Sequence, residues 1–380
     1  MLKRFEVENY KGFRDRLVLD MSAGKCAFNP ELVRNGMVKN ALIYGKNGIG
    51  KTTLGIALFD IILHLTDKHS FDDRVLQPYC NLDSRPDEPV MFRYVFEFDG
   101  EEIVYEYAKT SPSELVYERL WFGRRKVLNV IFPGNAAVDT RTHRNRLSKD
   151  AFGATIRLNL TDNRLSAVKY LARNLPTGTS PQLTQLISFC DNMLWYRALS
   201  GGDVSYAGFM NGPQDLSETI RQMDLLGELN LFLQSVDLNY SLNFRDINGK
   251  PQLYAEFAHG NGVPFRQIAS TGTMSLVRFF VWQHVIRNRA SLLFIDEFDA
   301  FVHYEAAARL LNEMKQSDCQ IAVTTHNTHL MQNRLTRPDC CFIMTHNRIT
   351  NLASATDKEI REAHNLEKMY INGVFSEIGE

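Results

Sequence analysis

The sequence predicts an α/β fold with a mixed sheet core, an antiparallel β-subdomain and an inserted compact helical lobe. One observation is an apolar run, 41–44, followed by a glycine-rich stretch and a helix-compatible segment, 54–65. Another is a second apolar run far along the chain, 292–295, which ends in two adjacent carboxylates. Between these ends the chain reads first as strands, over 90–132, and then takes helical spacing, over 163–236.

The glycine-rich stretch fits the phosphate-loop pattern G-x-x-x-x-G-K-[ST]. Such a turn between a strand and a helix points backbone N–H groups at an anion, and the helix dipole adds to the attraction. Lys51 is expected to reach the β- and γ-phosphates, and the Thr52 hydroxyl to ligate Mg²⁺. An accidental match is the alternative, and the flanking strand and helix argue against it. The pattern predicts a bound nucleoside triphosphate with Mg²⁺. The predicted binding residues are Asn47, Gly48, Gly50, Lys51, Thr52 and Thr53. ATP is favoured over GTP, because the sequence contains no [NT]-K-x-D motif.

The second apolar run places Asp296 and Glu297 at the end of a buried strand. In an open α/β sheet, ligands bind at the carboxyl ends of the strands. Asp296 is therefore predicted to hold the magnesium ion, and Glu297 to polarise the attacking water beside the γ-phosphate. The alternative is that the two carboxylates only cap the end of the strand. Lys51, Glu297 and a histidine discussed below are the predicted catalytic residues.

The middle of the chain separates into a strand-rich and a helix-rich part. Asp99-Gly100 and Asn248-Gly249 are hairpin-turn pairs. The predicted strands are 90–98, 102–108, 115–122, 127–132, 240–247 and 252–257. The predicted helices are 164–175, 181–199, 215–236 and 276–288. No heptad repeat is sustained, so a compact lobe is expected rather than a coiled-coil arm. The predicted division is the N-terminal half of the core, the helical lobe and the C-terminal half of the core, over 1–162, 163–237 and 238–380.

The composition argues against several functional classes. The formal net charge of −1 favours neither nucleic acid nor a membrane surface as the partner. The six cysteines form no C-x-x-C pair, which argues against structural zinc and against a disulfide framework. No apolar run is long enough to span a bilayer, and no secretory signal precedes the first strand. A cytoplasmic protein is therefore expected.

Both ends of the chain resemble the ABC-type P-loop ATPase heads of the RecF, SMC and OLD families. The opening segment, 2–13, is similar to their first strand and turn, which reads N-[YF]-[KR]-x-F, and Asn47-Gly48 matches their phosphate loop. The segment 269–275 resembles their signature motif. A simple Ser/Thr helix cap is the alternative reading of it. The resemblance implies contact with the γ-phosphate held by the opposite subunit, through Ser270, Thr271 and Gly272.

Two further segments near the C-terminus carry the same resemblance. Phe298-Asp299-Ala300 resembles the D-loop that runs along the dimer interface of these ATPases. The run 320–326 is similar to the switch-histidine segment, which implies that His326 senses the γ-phosphate. A lone histidine is more often structural, but the position at a strand end favours the switch role. A metal site at His326 and His329 ranks below it, because no third ligand is near in sequence. The glutamine that these families carry in their Q-loop has no assignable counterpart.

The segments 337–342 and 361–370 carry a narrower likeness. Together with the ATPase-like head, which is short, these two segments resemble the stand-alone AAA/ABC-type ATPases of bacterial anti-phage operons, such as those of the AbiL and PARIS systems. This implies a slow ATPase that dimerises around ATP and controls a separate effector, a nuclease or toxin, with Toprim-type nucleases among the candidates. About forty residues follow the strand of His326 and the loop after it, which is too few for an appended nuclease domain. The alternative is a RecF-like clamp that grips DNA in an ATP-dependent manner during repair.

A basic stretch between Arg119 and Lys149 suggests a further partner. Such clustering is expected to contact nucleic-acid phosphates or an acidic protein. A solvated surface loop is an equally weighted alternative. If the stretch binds DNA, reversing Arg141, Arg144 and Arg146 to Glu is expected to abolish salt-sensitive binding. The basic residues of the stretch are Arg119, Arg124, Arg125, Lys126, Arg141, Arg144, Arg146 and Lys149.

Overall fold

The computed structural model describes residues 1–68, 70–85, 87–132, 145–153, 162–197, 206–208, 215–286, 289–300 and 302–375. The strands are β1 Leu2–Glu8, β2 Leu17–Asp20, β3 Val33–Arg34, β4 Met37–Val38, β5 Asn40–Tyr44, β6 Val90–Phe98, β7 Glu101–Ser111, β8 Glu114–Phe122, β9 Arg125–Ile131, β10 Arg146–Leu147, β11 Met193–Arg197, β12 Tyr206–Gly208, β13 Leu242–Ile247, β14 Lys250–Glu256, β15 Gly262–Pro264, β16 Leu292–Asp296, β17 Gln320–Thr325, β18 Cys341–Met344 and β19 Ile349–Asn351. The helices are α1 Lys51–Leu58, α2 Ile61–Leu65, α3 Asp73–Leu76, α4 Lys149–Phe152, α5 Ala167–Asn174, α6 Pro181–Asp191, α7 Leu216–Gln222, α8 Leu226–Ser235, α9 Phe265–Ile268, α10 Thr271–Ile286, α11 Tyr304–Met314 and α12 Leu366–Ile371.

The central sheet is mixed, with strand order β12-β11-β16-β17-β5-β18-β19. The strands from β11 to β18 in this order are parallel to their neighbours, and the two edge strands run antiparallel to theirs. Every residue of β16 and β17 is buried, as expected for parallel strands covered on both faces. α1 packs on one face, and α10 and α11 pack on the other. The carboxyl ends of β11, β16, β17 and β5 therefore meet at one edge, where α/β folds bind ligands.

A second, antiparallel sheet covers α1 and α2, with strand order β10-β9-β8-β7-β6-β1-β2. Its hairpin at Asp99-Gly100 has φ values of 51° and 84°, the left-handed pair that this turn requires. The inner face is aromatic and includes Tyr94, Tyr105 and Tyr107. The strands predicted between residues 90 and 132 are confirmed as β6 to β9. The predicted mixed α/β class with an antiparallel subdomain is likewise confirmed.

A buried ion pair joins the turn between α1 and α2 to this antiparallel sheet. Lys109 Nζ lies 2.6 Å from Asp60 Oδ1, and the two side chains are 0% and 1% exposed. Tyr107 donates a hydrogen bond to the same oxygen at 2.9 Å, and Tyr79 donates to Asp60 Oδ2 at 2.7 Å. We refer to Asp60, Tyr79, Tyr107 and Lys109 as the Asp60 cluster. Because both charges have close partners, the cluster holds the phosphate-loop helix against the sheet without an unpaired buried charge.

The helix predicted over 181–199 is wrong in its second half. α6 ends at Asp191, and the next residues form β11, which lies inside the central sheet beside β16. A short apolar run reads the same in a buried helix and in a buried parallel strand, so periodicity did not separate them. The span 163–237 is therefore helical in α5 to α8 but also supplies β11 and β12 to the core sheet.

Other predicted helices differ at their ends. The helix predicted over 215–236 is interrupted at Asp224, whose φ is 55°, so that α7 and α8 are separate. The helix predicted over 276–288 begins earlier, at Thr271. The strands around Asn248-Gly249 are confirmed as β13 and β14. The division into 1–162, 163–237 and 238–380 stays a prediction.

Candidate nucleotide site

The predicted phosphate loop joins β5 to α1. Asn47 and Gly48 are exposed at its tip. Gly50 precedes α1 with φ 103°, and a Cβ there would lie 2.9 Å from Cε1 of Phe13. Both the backbone conformation and the close contact therefore require glycine at this position. The first-turn N–H groups of α1, including those of Thr52 and Thr53, have no intrahelical acceptor, and they form an anion site with the helix dipole.

Lys51 is buried, and its ammonium lies folded across the loop. Its Nζ donates to Gly45 O at 2.6 Å and to Lys46 O at 3.1 Å. Burial lowers the pKa of Lys51, and the nearby carboxylates of Glu297, Asp296 and Asp299 oppose that shift. The lysine thus sits at the loop with carbonyl oxygens as its partners, which a phosphate would replace.

Asp296 is fully buried at the end of β16 and is held by two threonines. Thr52 Oγ1 donates to Asp296 Oδ2 at 2.6 Å, and Thr324 Oγ1 donates to Asp296 Oδ1 at 2.8 Å. Burial raises the pKa of Asp296, and the Thr52 and Thr324 hydrogen bonds together with the charge of Arg197 oppose the shift. The structure therefore unites Thr52 and Asp296, which are 244 residues apart in sequence.

Glu297 follows Asp296 in a left-handed backbone conformation with φ 51°. Its N–H donates to Thr324 Oγ1 at 2.8 Å, which holds the turn. A non-glycine residue in this region is uncommon and costs about 1 kcal/mol or more, so the surrounding structure must impose it. The turn leaves the Glu297 side chain 19% exposed at the mouth of the loop.

Arg197 is a site residue that the sequence reasoning missed. It ends β11, directly opposite Asp296 of β16 in the parallel register. Its Nε lies 3.5 Å from Asp296 Oδ2, and its Nη2 donates to Glu297 Oε2 at 3.5 Å. We refer to Thr52, Arg197, Asp296, Glu297 and Thr324 as the Asp296 cluster.

The D-loop-like and switch-histidine segments meet beside this cluster. Thr325 Oγ1 donates to Asp299 Oδ2 at 2.9 Å, so the two segments are tied together. Burial raises the pKa of Asp299, and the hydrogen bond from Thr325 opposes the shift. His326 follows β17 and is exposed at the same edge of the sheet. His329 Nδ1 lies 2.9 Å from Glu367 Oε1, away from the carboxylates of the cluster.

The signature-like segment lies apart from the loop within one chain. Ser270 Oγ accepts a hydrogen bond from Thr273 N at 3.1 Å, so Ser270 caps α10. Ser270 and Thr271 are exposed, and Gly272 is half-buried. α10 packs on the sheet face opposite α1. In the described part of the chain, no hydrogen bond or ion pair joins Ser270, Thr271 or Gly272 to the phosphate loop.

The site residues fit a magnesium nucleotide. The Thr52 hydroxyl donates a hydrogen bond to Asp296, which leaves the lone pairs of the hydroxyl oxygen for a cation. Hydroxyl and carboxylate oxygens are the ligands that Mg²⁺ prefers, together with water and phosphate. The exposed loop tip and the helix N-terminus suit the phosphates.

A family model, described as "AAA domain, putative AbiEii toxin, Type IV TA system", matches residues 41–332 of the 380-residue chain. The matched span runs from the strand before the phosphate loop to just beyond the histidine segment. The chain belongs to this AAA family. The P-loop ATPase class that the sequence predicted is thereby confirmed.

Solved structures resemble this AAA protein along most of their length. The SMC head domain from Thermotoga maritima is 13% identical, with 92% of this chain and 98% of that chain covered and a TM-score of 0.41. The SMC head bound to the C-terminal winged-helix domain of ScpA is 12% identical, with coverages of 92% and 97% and a TM-score of 0.44. The recombination mediator RecF with ATP is 12% identical, with coverages of 93% and 99% and a TM-score of 0.41. No curated protein sequence matches the chain.

Two signals in this AAA sequence pointed to the missed residues. Arg197 ends an apolar run, 193–196, in the same way as Asp296 ends its own. Thr324 stands at the end of the strand before the histidine, where a small hydroxyl residue can cap a carboxylate.

Among the described residues, no helix combines the length and the apolar character needed to cross a bilayer.

Proposed function

We propose that the chain is an ATP-binding and ATP-hydrolysing regulatory subunit of a bacterial anti-phage defence complex. The observation that carries the ATPase part is the hydrogen bond from Thr52 to Asp296, which brings the phosphate loop and the acidic strand end to one edge. Glu297 lies at the mouth of the same loop, and Lys51 is inside it.

Each residue has a role that its chemistry supports. Lys51 exchanges its carbonyl partners for the β- and γ-phosphates, and the loop N–H groups from Asn47 to Thr53 bind the same oxygens. Thr52 and Asp296 hold the magnesium ion. Glu297 orients and polarises the attacking water, and His326 senses the γ-phosphate from the end of β17. Bound Mg-ATP supplies the phosphoanhydride bond that water cleaves.

The proposed active unit is a homodimer. Ser270 and Thr271 are exposed at the N-terminus of the 16-residue α10, on a surface that a second chain can reach. A helix N-terminus with small hydroxyl residues attracts phosphate. Within one chain this segment lies on the far side of the sheet from α1, so a nucleotide must lie between two chains to contact both motifs.

The defence role rests on the family description, which names a toxin and a toxin–antitoxin system. An ATPase of this kind would act on a separate effector, a nuclease or toxin. The nucleotide state would then decide whether that effector is held or released.

A RecF-like DNA clamp is the second candidate. The observation in its favour is an outward-facing aromatic on the antiparallel sheet, Trp121, with Arg93 and Lys126 over its ring at 5.7 Å and 4.8 Å. Against it, Arg119 and Arg125 of the basic stretch are paired with Glu106 and Asp150. Arg141 and Arg144 lie outside the described residues.

The hydrolysis assignment is tested with Glu297→Gln. Turnover of ATP is expected to fall roughly 100-fold while ATP stays bound, because the water loses its general base. Lys51→Ala is expected to weaken binding of a fluorescent ATP analogue roughly 10- to 100-fold, since a charge-assisted contact to phosphate is lost. Glu305→Gln, at an exposed position of α11, and Lys46→Ala, on the exposed part of the loop, are the matched controls. Equal turnover in wild type and Glu297→Gln contradicts the role of Glu297.

The partner is tested by affinity purification of Glu297→Gln from its native host, followed by native mass spectrometry with and without Mg-ATP. A stoichiometric second protein that associates or dissociates with nucleotide is the expected result. An ATP-locked homodimer that carries only DNA would favour the clamp instead.

A further inference from the structure

The strand register places a cation beside the two carboxylates assigned to magnesium and water. β11 and β16 are parallel, with Met193 opposite Leu292 and Arg197 opposite Asp296. Ser291 fixes this register at the start of the strands, because its N–H donates to Asn192 O at 2.9 Å and its hydroxyl donates to Phe189 O.

Side-chain alternation directs this cation toward the phosphate-loop helix. Residues two apart on a strand share a face. Met193 and Trp195 of β11, like Phe294 of β16, pack in the hydrophobic cluster that contains α1. Arg197 is two residues beyond Trp195 on β11, and Asp296 is two residues beyond Phe294 on β16. Both side chains therefore lie on the α1 side of the sheet, where Thr52 donates a hydrogen bond to Asp296.

The contacts of Arg197 with the two carboxylates are longer than the hydroxyl contacts of the cluster. The threonine hydroxyls bind Asp296 at 2.6 and 2.8 Å, whereas the guanidinium lies 3.5 Å from Asp296 Oδ2 and 3.5 Å from Glu297 Oε2. The Arg197 side chain is 37% exposed, and the Asp296 side chain is fully buried. Arg197 thus neutralises a buried carboxylate from the solvent side, without the close bidentate geometry of a permanent Arg–carboxylate pair.

We propose that Arg197 is a positioning residue that serves as the built-in counter-cation of the magnesium site. In the nucleotide-free chain, Arg197 compensates the negative charges of Asp296 and Glu297. When a divalent cation binds, Arg197 moves away from Asp296 Oδ2, and the cation takes its place. This inference rests on the proposed function, because the carboxylates concerned are those assigned to magnesium and water. Arg197 therefore sets the metal concentration that the site needs, and it opposes metal binding when no nucleotide is present.

The test is a Mn²⁺ titration of the nucleotide-free protein, followed by the electron paramagnetic resonance signal of free Mn²⁺. Arg197→Gln removes the competing charge, and we expect Mn²⁺ to bind roughly fivefold more tightly, the factor that corresponds to loss of one partly exposed ion pair. Arg197→Lys keeps the charge and is expected to stay within about twofold of wild type. The apo Arg197→Gln protein is also expected to melt at a lower temperature than wild type, because Asp296 loses its counter-charge.

Arg245→Gln is the matched control. Arg245 also lies on a strand, is 40% exposed and pairs with a carboxylate, Glu256, at 3.0 Å, but it belongs to the β13–β14 hairpin. Its Mn²⁺ titration is expected to match wild type. The proposal is overturned if Arg197→Gln and Arg245→Gln titrate alike, or if Arg197→Lys shifts the affinity as far as Arg197→Gln. If Arg197→Gln does not fold, a roughly fivefold or larger shift of the Mn²⁺ affinity in Arg197→Lys overturns the proposal.

Failure of this inference is distinguishable from failure of the proposed function. A wild-type chain that binds no fluorescent ATP analogue in the presence of Mg²⁺ contradicts the ATPase assignment. An Arg197→Gln chain that binds the analogue with unchanged Mn²⁺ affinity contradicts only the counter-cation role.

Discussion

The Asp60 cluster and the Asp296 cluster are both built around a buried aspartate with a cationic partner, and they differ in how tightly that partner is held. Lys109 lies 2.6 Å from Asp60, and both side chains are within 1% of full burial. Arg197 lies 3.5 Å from Asp296 and is 37% exposed. The hydroxyl contacts are similar in the two clusters, at 2.6 to 2.9 Å.

This difference separates a structural ion pair from a replaceable one. The two charged side chains of the Asp60 cluster are within 1% of full burial, so they cannot exchange partners without breaking the packing between α1 and the antiparallel sheet. The Asp296 cluster opens to the exposed phosphate loop, and its cation is at the solvent side. One cluster anchors the far end of α1 in place, and the other leaves the near end ready to receive a charged ligand.

The largest expected effect is the loss of Lys109. Lys109→Met leaves Asp60 as a buried carboxylate without its cation, and we expect the free energy of unfolding to fall by about 3–5 kcal/mol. Chemical denaturation monitored by circular dichroism measures the change. The matched control is Lys3→Met, because Lys3 pairs with Glu97 and Glu102 at the surface with its side chain 32% exposed. That control is expected to cost less than about 1 kcal/mol. Similar losses in the two variants would show that the Asp60 cluster is no more structural than a surface pair.

A smaller loss of stability is expected when a single methyl group is added to α1, between the Asp60 cluster and the Asp296 cluster. Gly55 lies in α1, and a Cβ there would be 2.6 Å from Cε1 of Phe294 and 2.6 Å from Nε1 of Trp195. Gly55→Ala should gain about 1 kcal/mol of helix propensity but lose about 1–3 kcal/mol to overpacking, so we expect net destabilisation. Displacement of α1 should also separate Thr52 from Asp296 and lower the affinity for the Mg-ATP analogue.

The control for this change is another helical glycine with open space. Gly227 of α8 is exposed, and nothing lies within 4 Å of a Cβ built there. Gly227→Ala is expected to stabilise the chain by about 0.5–1 kcal/mol and to leave nucleotide affinity unchanged. If Gly55→Ala behaves like Gly227→Ala, the close packing of α1 on β16 and β11 is not needed for the site.

The smallest expected effect is a loss of stability at acid pH, caused by a buried histidine beside the Asp60 cluster. His64 Nε2 lies 2.8 Å from Tyr105 OH, and burial lowers the pKa of His64 well below its usual value, with the charges of Lys109 and Lys169 adding to the shift. Below about pH 6.5, His64 is therefore protonated in the unfolded chain but stays neutral in the folded chain. Stability is expected to fall by up to about 1.4 kcal/mol per pH unit below that point.

The pH effect is measured as the difference between wild type and His64→Gln, which keeps a donor toward Tyr105. Thermal unfolding at pH 7.5 and pH 5.5 should show a smaller loss in His64→Gln than in wild type. Equal losses in the two proteins would mean that His64 burial does not generate the acid sensitivity.

The local motifs could be predicted from the sequence because their chemistry is encoded in contiguous residues. The phosphate loop, the strand ending in Asp296 and Glu297, the hairpin at Asp99-Gly100 and the antiparallel strands β6 to β9 appear as predicted. Each depends on short-range properties: glycine at positive φ, alternation of burial, or an apolar run that ends in a charge.

Three features were decided only by the tertiary structure. β11 was predicted as the continuation of a helix, and it became a strand because a parallel neighbour, β16, was available on the sheet. The placing of Arg197 opposite Asp296 depends on that register, and the Thr52–Asp296 bond joins residues 244 positions apart. By itself, the sequence determined which chemical groups the site contains, since residue types and local backbone preferences are properties of short segments. Which groups face one another was determined by strand order and register, because these depend on burial shared between distant segments.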